Sequence, residues 1–147
     1  RLLAESLALD RQTSCGYPKR AGRGLDLNRL NVLIAVLERR TKLNLSDKDI
    51  YINVVGGIKL IDPAADLAVC MAIASASAGR RLATGAVVFG EVGLGGEVRS
   101  VTSVDKRITE AKKLGFTYAI GPSGSKANKF IKSVKDVRQA LIDHLKQ

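Results

Sequence analysis

The sequence holds one histidine, His144, and two cysteines, Cys15 and Cys70, among 147 residues. Neither their number nor their spacing suits a His/Cys metal site. Tryptophan is absent and aromatic residues make up 4% of the chain, too few for a platform of stacked bases. No apolar run approaches the ~18 residues of a membrane-spanning helix, so no membrane partner is expected. Leu2–Leu9 is short and interrupted by Glu5 and Ser6, unlike the apolar centre of a secretory signal. The sparse cysteines fit a reducing compartment, and a cytoplasmic location is expected. The first residue is Arg rather than Met, which suggests a fragment of a longer chain.

Negative charge is also scarce. Against 14 Asp and Glu stand 24 Lys and Arg, a net charge of +10. Such an excess either forms a solvated basic surface or meets a polyanion, usually nucleic acid. The basic residues come in groups. Lys19, Arg20 and Arg23 share one glycine-bearing loop with Tyr17. Arg39, Arg40 and Lys42 follow a helix, and Arg80 with Arg81 follows another. From Arg99 to Lys146 there are 11 basic and 4 acidic residues, net +7, with Lys106, Arg107, Lys112 and Lys113 on one predicted helix and Lys126, Lys129, Lys132 and Lys135 after it. These are the candidates for phosphate contacts, which confer affinity with little sequence preference.

The chain is organised around residues 54–66, V-V-G-G-I-K-L-I-D-P-A-A-D. Asp62 suits an N-cap and Pro63 the first helical position, where its missing N–H costs nothing. The run L-A-V-C-M-A-I-A-S-A-S-A that follows is apolar on nearly every face and so predicts a helix inside the core, Cys70 included. Ser75 and Ser77 read as hydroxyls bonded to backbone. The N-terminus of such a helix is rigid and carries positive potential, a natural seat for a nucleophile. Ala64 and Ala65 occupy that seat.

Around it, Leu2–Leu9 reads as a strand and Arg11–Gly24 as a polar loop. Asp26 opens a helix whose buried stripe is Leu27, Leu30, Ile34 and Leu37. Ile50–Val55 reads as a strand, Gly79 as a C-cap, and Ala86–Gly90 as a buried strand. Residues 90–98, G-E-V-G-L-G-G-E-V, predict a hairpin turning near Gly95 and Gly96. Thr102 or Ser103 caps a helix with inner positions Val104, Ile108 and Ala111, ended by Gly115. Thr117–Ile120 reads as a strand, Lys126–Lys132 as helical, and Val134, Val137, Leu141 and Leu145 as a final amphipathic helix. The glycine-rich hairpin lacks the Gly-Lys-Ser/Thr ending of a phosphate loop, so no nucleotide site is indicated. The pattern predicts a single α/β (α+β) domain over residues 1–147, with a mixed sheet, packed helices and one inserted hairpin.

Several runs together resemble the C-terminal domain of the RadA/Sms family of bacterial recombination and repair proteins: G-L-D-L-N-R-L at 24–30, Y-I-N-V-V-G-G-I-K-L at 51–60, D-P-A-A-D-L-A at 62–68, G-E-V-G-L-G-G-E-V-R at 90–99 and K-R-I-T-E-A-K-K-L-G-F at 106–116. That domain is similar to the proteolytic domain of Lon, so the resemblance implies a Lon-like fold. It also implies a parent with a zinc-binding module and a RecA-like ATPase, which would use Zn, ATP and Mg outside this domain. Lon-type proteases use a Ser–Lys dyad, with the serine after a Gly-Pro at a helix start. The position matching the serine is Ala64 and that matching the lysine is Asp105. Lys106 adjoins it, about 100° around the helix. The resemblance thus implies a domain without proteolytic chemistry and without a cofactor of its own, a DNA contact through the basic groups, and self-assembly into a hexameric ring. The competing reading is an active Ser–Lys peptidase, or a peptide-binding remnant.

Overall fold

The computed structural model describes residues 6–12, 20–23, 26–54, 62–123 and 129–146. Strand β1 (Ser6–Gln12) pairs antiparallel with β3 (Lys48–Val54), and β2 (Arg20–Arg23) pairs parallel with β3 on its other side. This sheet is mixed, as the sequence led one to expect. The strand runs Arg11–Gln12 and Arg20–Arg23 fall where a continuous polar loop was anticipated. Nothing local in R-A-G-R marks a strand; its ladder with Ile50–Asn53 does.

Helix α1 (Leu27–Arg40) starts at Asp26, whose carboxylate accepts from Asn28 N–H at 3.0 Å. Leu30, Leu33, Ile34, Val36 and Leu37 are buried. Leu27 is 46% exposed and does not belong to the buried stripe. It stands in the first turn, one turn before the buried run begins at Leu30. A short 3-10 turn (Pro63–Ala65) capped by Asp62 leads directly into α2 (Asp66–Ala78). Leu67, Val69, Cys70, Met71, Ile73 and Ala74 are buried, and α2 packs against β1, α1 and a C-terminal helix, α4 (Val137–His144). Each fully buried Leu, Val or Ile there contributes about 2 kcal/mol. Gly79 ends α2 in the left-handed conformation (φ 64°), its N–H bonded to the Ser75 carbonyl.

The remaining strands form small sheets. Strand β4 (Arg81–Leu82) pairs antiparallel with β10 (Leu145–Lys146). Strands β5 (Ala86–Val88), β8 (Tyr118–Gly121) and β9 (Ile131–Ser133) form a parallel sheet in the order β5-β8-β9. Between them lie the hairpin β6 (Glu91–Val92) and β7 (Val98–Arg99) and helix α3 (Val104–Lys113). The architecture is thus mixed α/β, of the α+β kind.

Four further expectations change. Strand β5 is half-buried rather than buried, because it lies at a sheet edge. Ser103 stands at the N-cap of α3 with φ 58° but makes no capping bond through its side chain, and Thr102 is bonded through its carbonyl instead. Of the expected helix Lys126–Lys132, residues 126–128 lie outside the described residues. Ile131 and Lys132 are extended and pair with Ala119 and Ile120. The final helix spans only Val137–His144: Val134 precedes its cap, Asp136, and Leu145 leaves it to pair with Leu82.

Among the described residues, no helix is long and apolar enough to cross a membrane.

Candidate functional site

The N-terminal end of α2 is where three separate segments converge. Asp62 Oδ1 accepts from the Ala64 N–H at 3.0 Å, as an N-cap. Its other oxygen, Oδ2, accepts from Arg107 Nη2 at 2.9 Å, tying the start of α2 to α3. Arg107 also donates from Nε to the Thr102 carbonyl at 2.9 Å, so its fork is fixed at both ends. The hydrogen bond from Arg107, with the Ala64 N–H behind it, holds the Asp62 carboxyl below the ordinary carboxylate range.

Asp66 makes the second link. Its side chain is 4% exposed. It accepts from Arg29 Nε at 3.0 Å, from Arg29 Nη2, and from the Val92 N–H at 3.1 Å. Arg29 also reaches the Val92 carbonyl at 3.4 Å. The bidentate bond to Asp66 raises the pKa of the Arg29 guanidinium further, against the opposing pull of burial. Asp66 lies in the first turn of α2, where an acid complements the helix dipole, but its carboxylate is also buried and joins α1, α2 and the hairpin. The charges in L-N-R-L and A-D-L are the signal that could have found the pair, but 37 residues separate them.

The main chain completes the junction. Gly90 donates to the Ala64 carbonyl at 2.8 Å and accepts from the Leu67 N–H at 3.0 Å, stitching the hairpin's entrance to the first turn of α2. Ala64 is 4% exposed. It offers no nucleophilic atom, so this convergence cannot perform acyl transfer through position 64. Asp105 and Lys106 are exposed on α3, the helix that Arg107 ties to Asp62. The elements bearing Ala64 and Asp105 are therefore brought together.

The hairpin is built on its glycines. Glu97 folds back over the turn and bonds Arg99 at 3.0 Å. A Cβ on Gly93 would lie 1.7 Å from Glu97 Oε1. The Glu97 carboxyl is held below its usual range, chiefly by its own backbone N–H and then by Arg99.

The candidate basic residues divide. Arg39, Arg40, Arg80, Arg81 and Lys106 are exposed. Arg40 lays its stem on Gly96, where an added Cβ would stand 3.0 Å from Arg40 Cγ. Arg107 is half-buried and engaged by Asp62. Arg20 and Arg23 belong to the backbone of β2, and their side chains, like the whole of Lys19, lie outside the described residues. Further along, Lys112 sits 5.3 Å from the centre of the Phe130 ring, which places α3's last turn beside the entrance to β9, and Lys132 of β9 sits 5.5 Å from that of Tyr118 on the adjacent β8. Ser75 Oγ donates to the Arg80 carbonyl, the backbone bond the sequence suggested. Ser77 instead accepts from Lys48 Nζ at 3.2 Å. Burial pushes the Cys70 thiol up, in keeping with a core residue. Among the described residues, no cluster of three or more His, Cys, Asp or Glu is disposed to hold a metal.

A mixed α/β domain with this alanine-filled helix start matches the family model described as subunit ChlI of Mg-chelatase over residues 28–125, and the chain belongs to that family. It is 43% identical over 134 residues to the DNA repair protein RadA of Haemophilus influenzae, an alignment covering 91% of this chain and 29% of that protein. With the DNA repair protein RadA of Escherichia coli K12 it shares 46% identity over 124 residues, 84% of this chain and 27% of the relative. With that of Chlamydia pneumoniae it shares 39% over 148 residues, 95% of this chain and 33% of the relative. The kinship with RadA read from the motifs is thereby borne out. The chain spans about a third or less of the length of the curated relatives it matches.

Proposed function

We propose that residues 1–147 form one non-proteolytic, Lon-like domain of a RadA-type, ATP-dependent DNA recombination and repair motor. It serves there as an oligomerisation scaffold and a DNA-contacting module. The observation that carries this reading is the identity of 39–46% with proteins named DNA repair protein RadA, over 84–95% of the chain. Ala64 at the buried end of α2 supports the absence of peptidase chemistry. The net charge of +10 and the exposed Arg39, Arg40, Arg80, Arg81 and Lys106 support contact with the DNA backbone. The domain takes no cofactor of its own; Zn, ATP and Mg belong to other parts of the parent. It assembles with copies of itself into a ring, a hexamer, in the cytoplasm.

The test is fluorescence anisotropy with labelled single- and double-stranded DNA at several salt concentrations, with mass measured by light scattering on the same samples. Affinity that falls steeply with salt, and falls again when Lys19, Arg20 and Arg23 become Ala, is the expected result. No binding at low salt removes the DNA role from this domain. A monomer at every concentration removes the scaffold role. Labelling of the wild-type chain by a serine-reactive fluorophosphonate replaces the whole reading with a peptidase.

A further inference from the structure

The first N–H groups of a helix have no partner within it, and together with the dipole they make its start a ready anion site. Through the turn that leads into α2, from Ala64 to Leu67, each N–H is already bonded. The Ala64 N–H goes to Asp62 Oδ1 at 3.0 Å, the Ala65 N–H to the Asp62 carbonyl at 3.1 Å and the Asp66 N–H to the Pro63 carbonyl. The Leu67 N–H goes to the Gly90 carbonyl at 3.0 Å, and Pro63 has no N–H to give. Two carboxylates, Asp62 and Asp66, stand at this positive end. Each is held by its own arginine, Arg107 and Arg29.

We infer that the Asp62 carboxylate is a resident anion that closes the end of α2 from within, so that this end accepts neither a peptide carbonyl nor an external phosphate or carboxylate. The inference deepens the non-proteolytic reading and rests on it for the kind of substrate excluded. Acyl transfer needs N–H donors aimed at the oxygen on which charge develops. The Lon resemblance matches the residue before Pro63 to a glycine, which carries no carboxylate. Here that residue is Asp62, and its oxygen takes the Ala64 N–H that an incoming oxyanion would need. The chemistry is therefore lost twice: Ala64 supplies no nucleophile, and Asp62 fills the anion position. Removing that carboxylate exposes the Ala64 N–H with the Arg107 guanidinium beside it, a pair of donors suited to an oxyanion.

Inorganic phosphate is the probe, and the backbone amide resonance of Ala64 is the readout, followed by ¹H–¹⁵N NMR at neutral pH. In the wild-type chain the Ala64 resonance stays in place through the titration. In Asp62→Gly it moves saturably, and adding Arg107→Gln weakens that binding by about tenfold, the worth of one hydrogen bond between charged groups. Saturable movement of Ala64 in the wild type overturns the inference, and so does a folded Asp62→Gly chain whose Ala64 resonance never moves. Should that variant not fold, the wild-type chain is titrated with acid instead. The Ala64 resonance must then follow protonation of the Asp62 carboxyl, and an Ala64 resonance indifferent to it is fatal. DNA anisotropy on the same samples reports the proposed function separately, since neither result presupposes the other.

Discussion

The end of α2 and the outer basic groups both consist of charged side chains, but they use charge in opposite ways. Around α2, Asp62 meets Arg107 and Asp66 meets Arg29, so that the charges cancel against one another and tie α1, α3 and the hairpin to the start of α2. At Arg39, Arg40, Arg80, Arg81 and Lys106 the side chains face water. A count of basic residues therefore overstates the surface open to a polyanion. Arg29 and Arg107 are spent on the fold, although Arg107 lies in a run as basic as any in the chain. The comparison also shows why the Arg29–Asp66 pair, with its buried carboxylate, is costly to break from one side: a polar group left buried without its partner loses water and gains nothing in exchange.

The sharpest way to break the comparison is Asp66→Ala. It leaves Arg29 and the Val92 N–H without their buried acceptor, and urea unfolding is expected to show a loss of about 3–5 kcal/mol. A loss below ~1 kcal/mol, the scale of a surface pair, would place Asp66 with the outer charges. Next comes the salt dependence of DNA binding. Arg80→Ala with Arg81→Ala is expected to lower the slope of log affinity against log salt by about 2, if each neutralises one phosphate. Arg107→Ala is expected to leave that slope unchanged. Equal effects from inner and outer arginines would erase the distinction.

The smallest effect is in the acid limb of stability. Asp62 has a folded pKa below its unfolded value, chiefly because of Arg107. Its contribution is complete above the unfolded pKa of about 3.9 and is lost as pH falls through the lower folded value. Asp62→Asn keeps a capping oxygen but no charge, so its stability curve should flatten below about pH 4 relative to wild type. The difference should stay under ~1 kcal/mol, since the pair is only partly shielded from water. Superimposable acid limbs would show that Arg107 contributes nothing through charge.

What could be read from the sequence depended on how local each signal is. The Asp26 cap, Asp62 with Pro63, Gly79 as a C-cap and the hairpin turning near Gly95 and Gly96 each need only neighbours within a few residues, and each was legible. Strand β2 was not, because R-A-G-R is extended through its ladder with β3. Ile131–Ser133 was hidden under a lysine-rich run, and its strand character comes from pairing with β8. Leu145 kept helical spacing but was captured by Leu82. For the same reason the candidate site was half legible. Ala64 at the helix start could be named from the motif, whereas the Arg29–Asp66 pair and the Arg107–Asp62 pair join residues 37 and 45 positions apart.

The hydrogen bonds that tie Ala64 into the domain are all made by its main chain. Its N–H goes to Asp62 and its carbonyl receives Gly90. The methyl group itself takes part in neither bond. Architecture and chemistry are thus written on different atoms of the same residue. Exchange of alanine for serine at 64 disturbs no hydrogen bond of the scaffold and asks only that one added hydroxyl find a partner. Along a lineage, a hydroxyl at this place can be discarded while the junction of α2, α3 and the hairpin passes on intact.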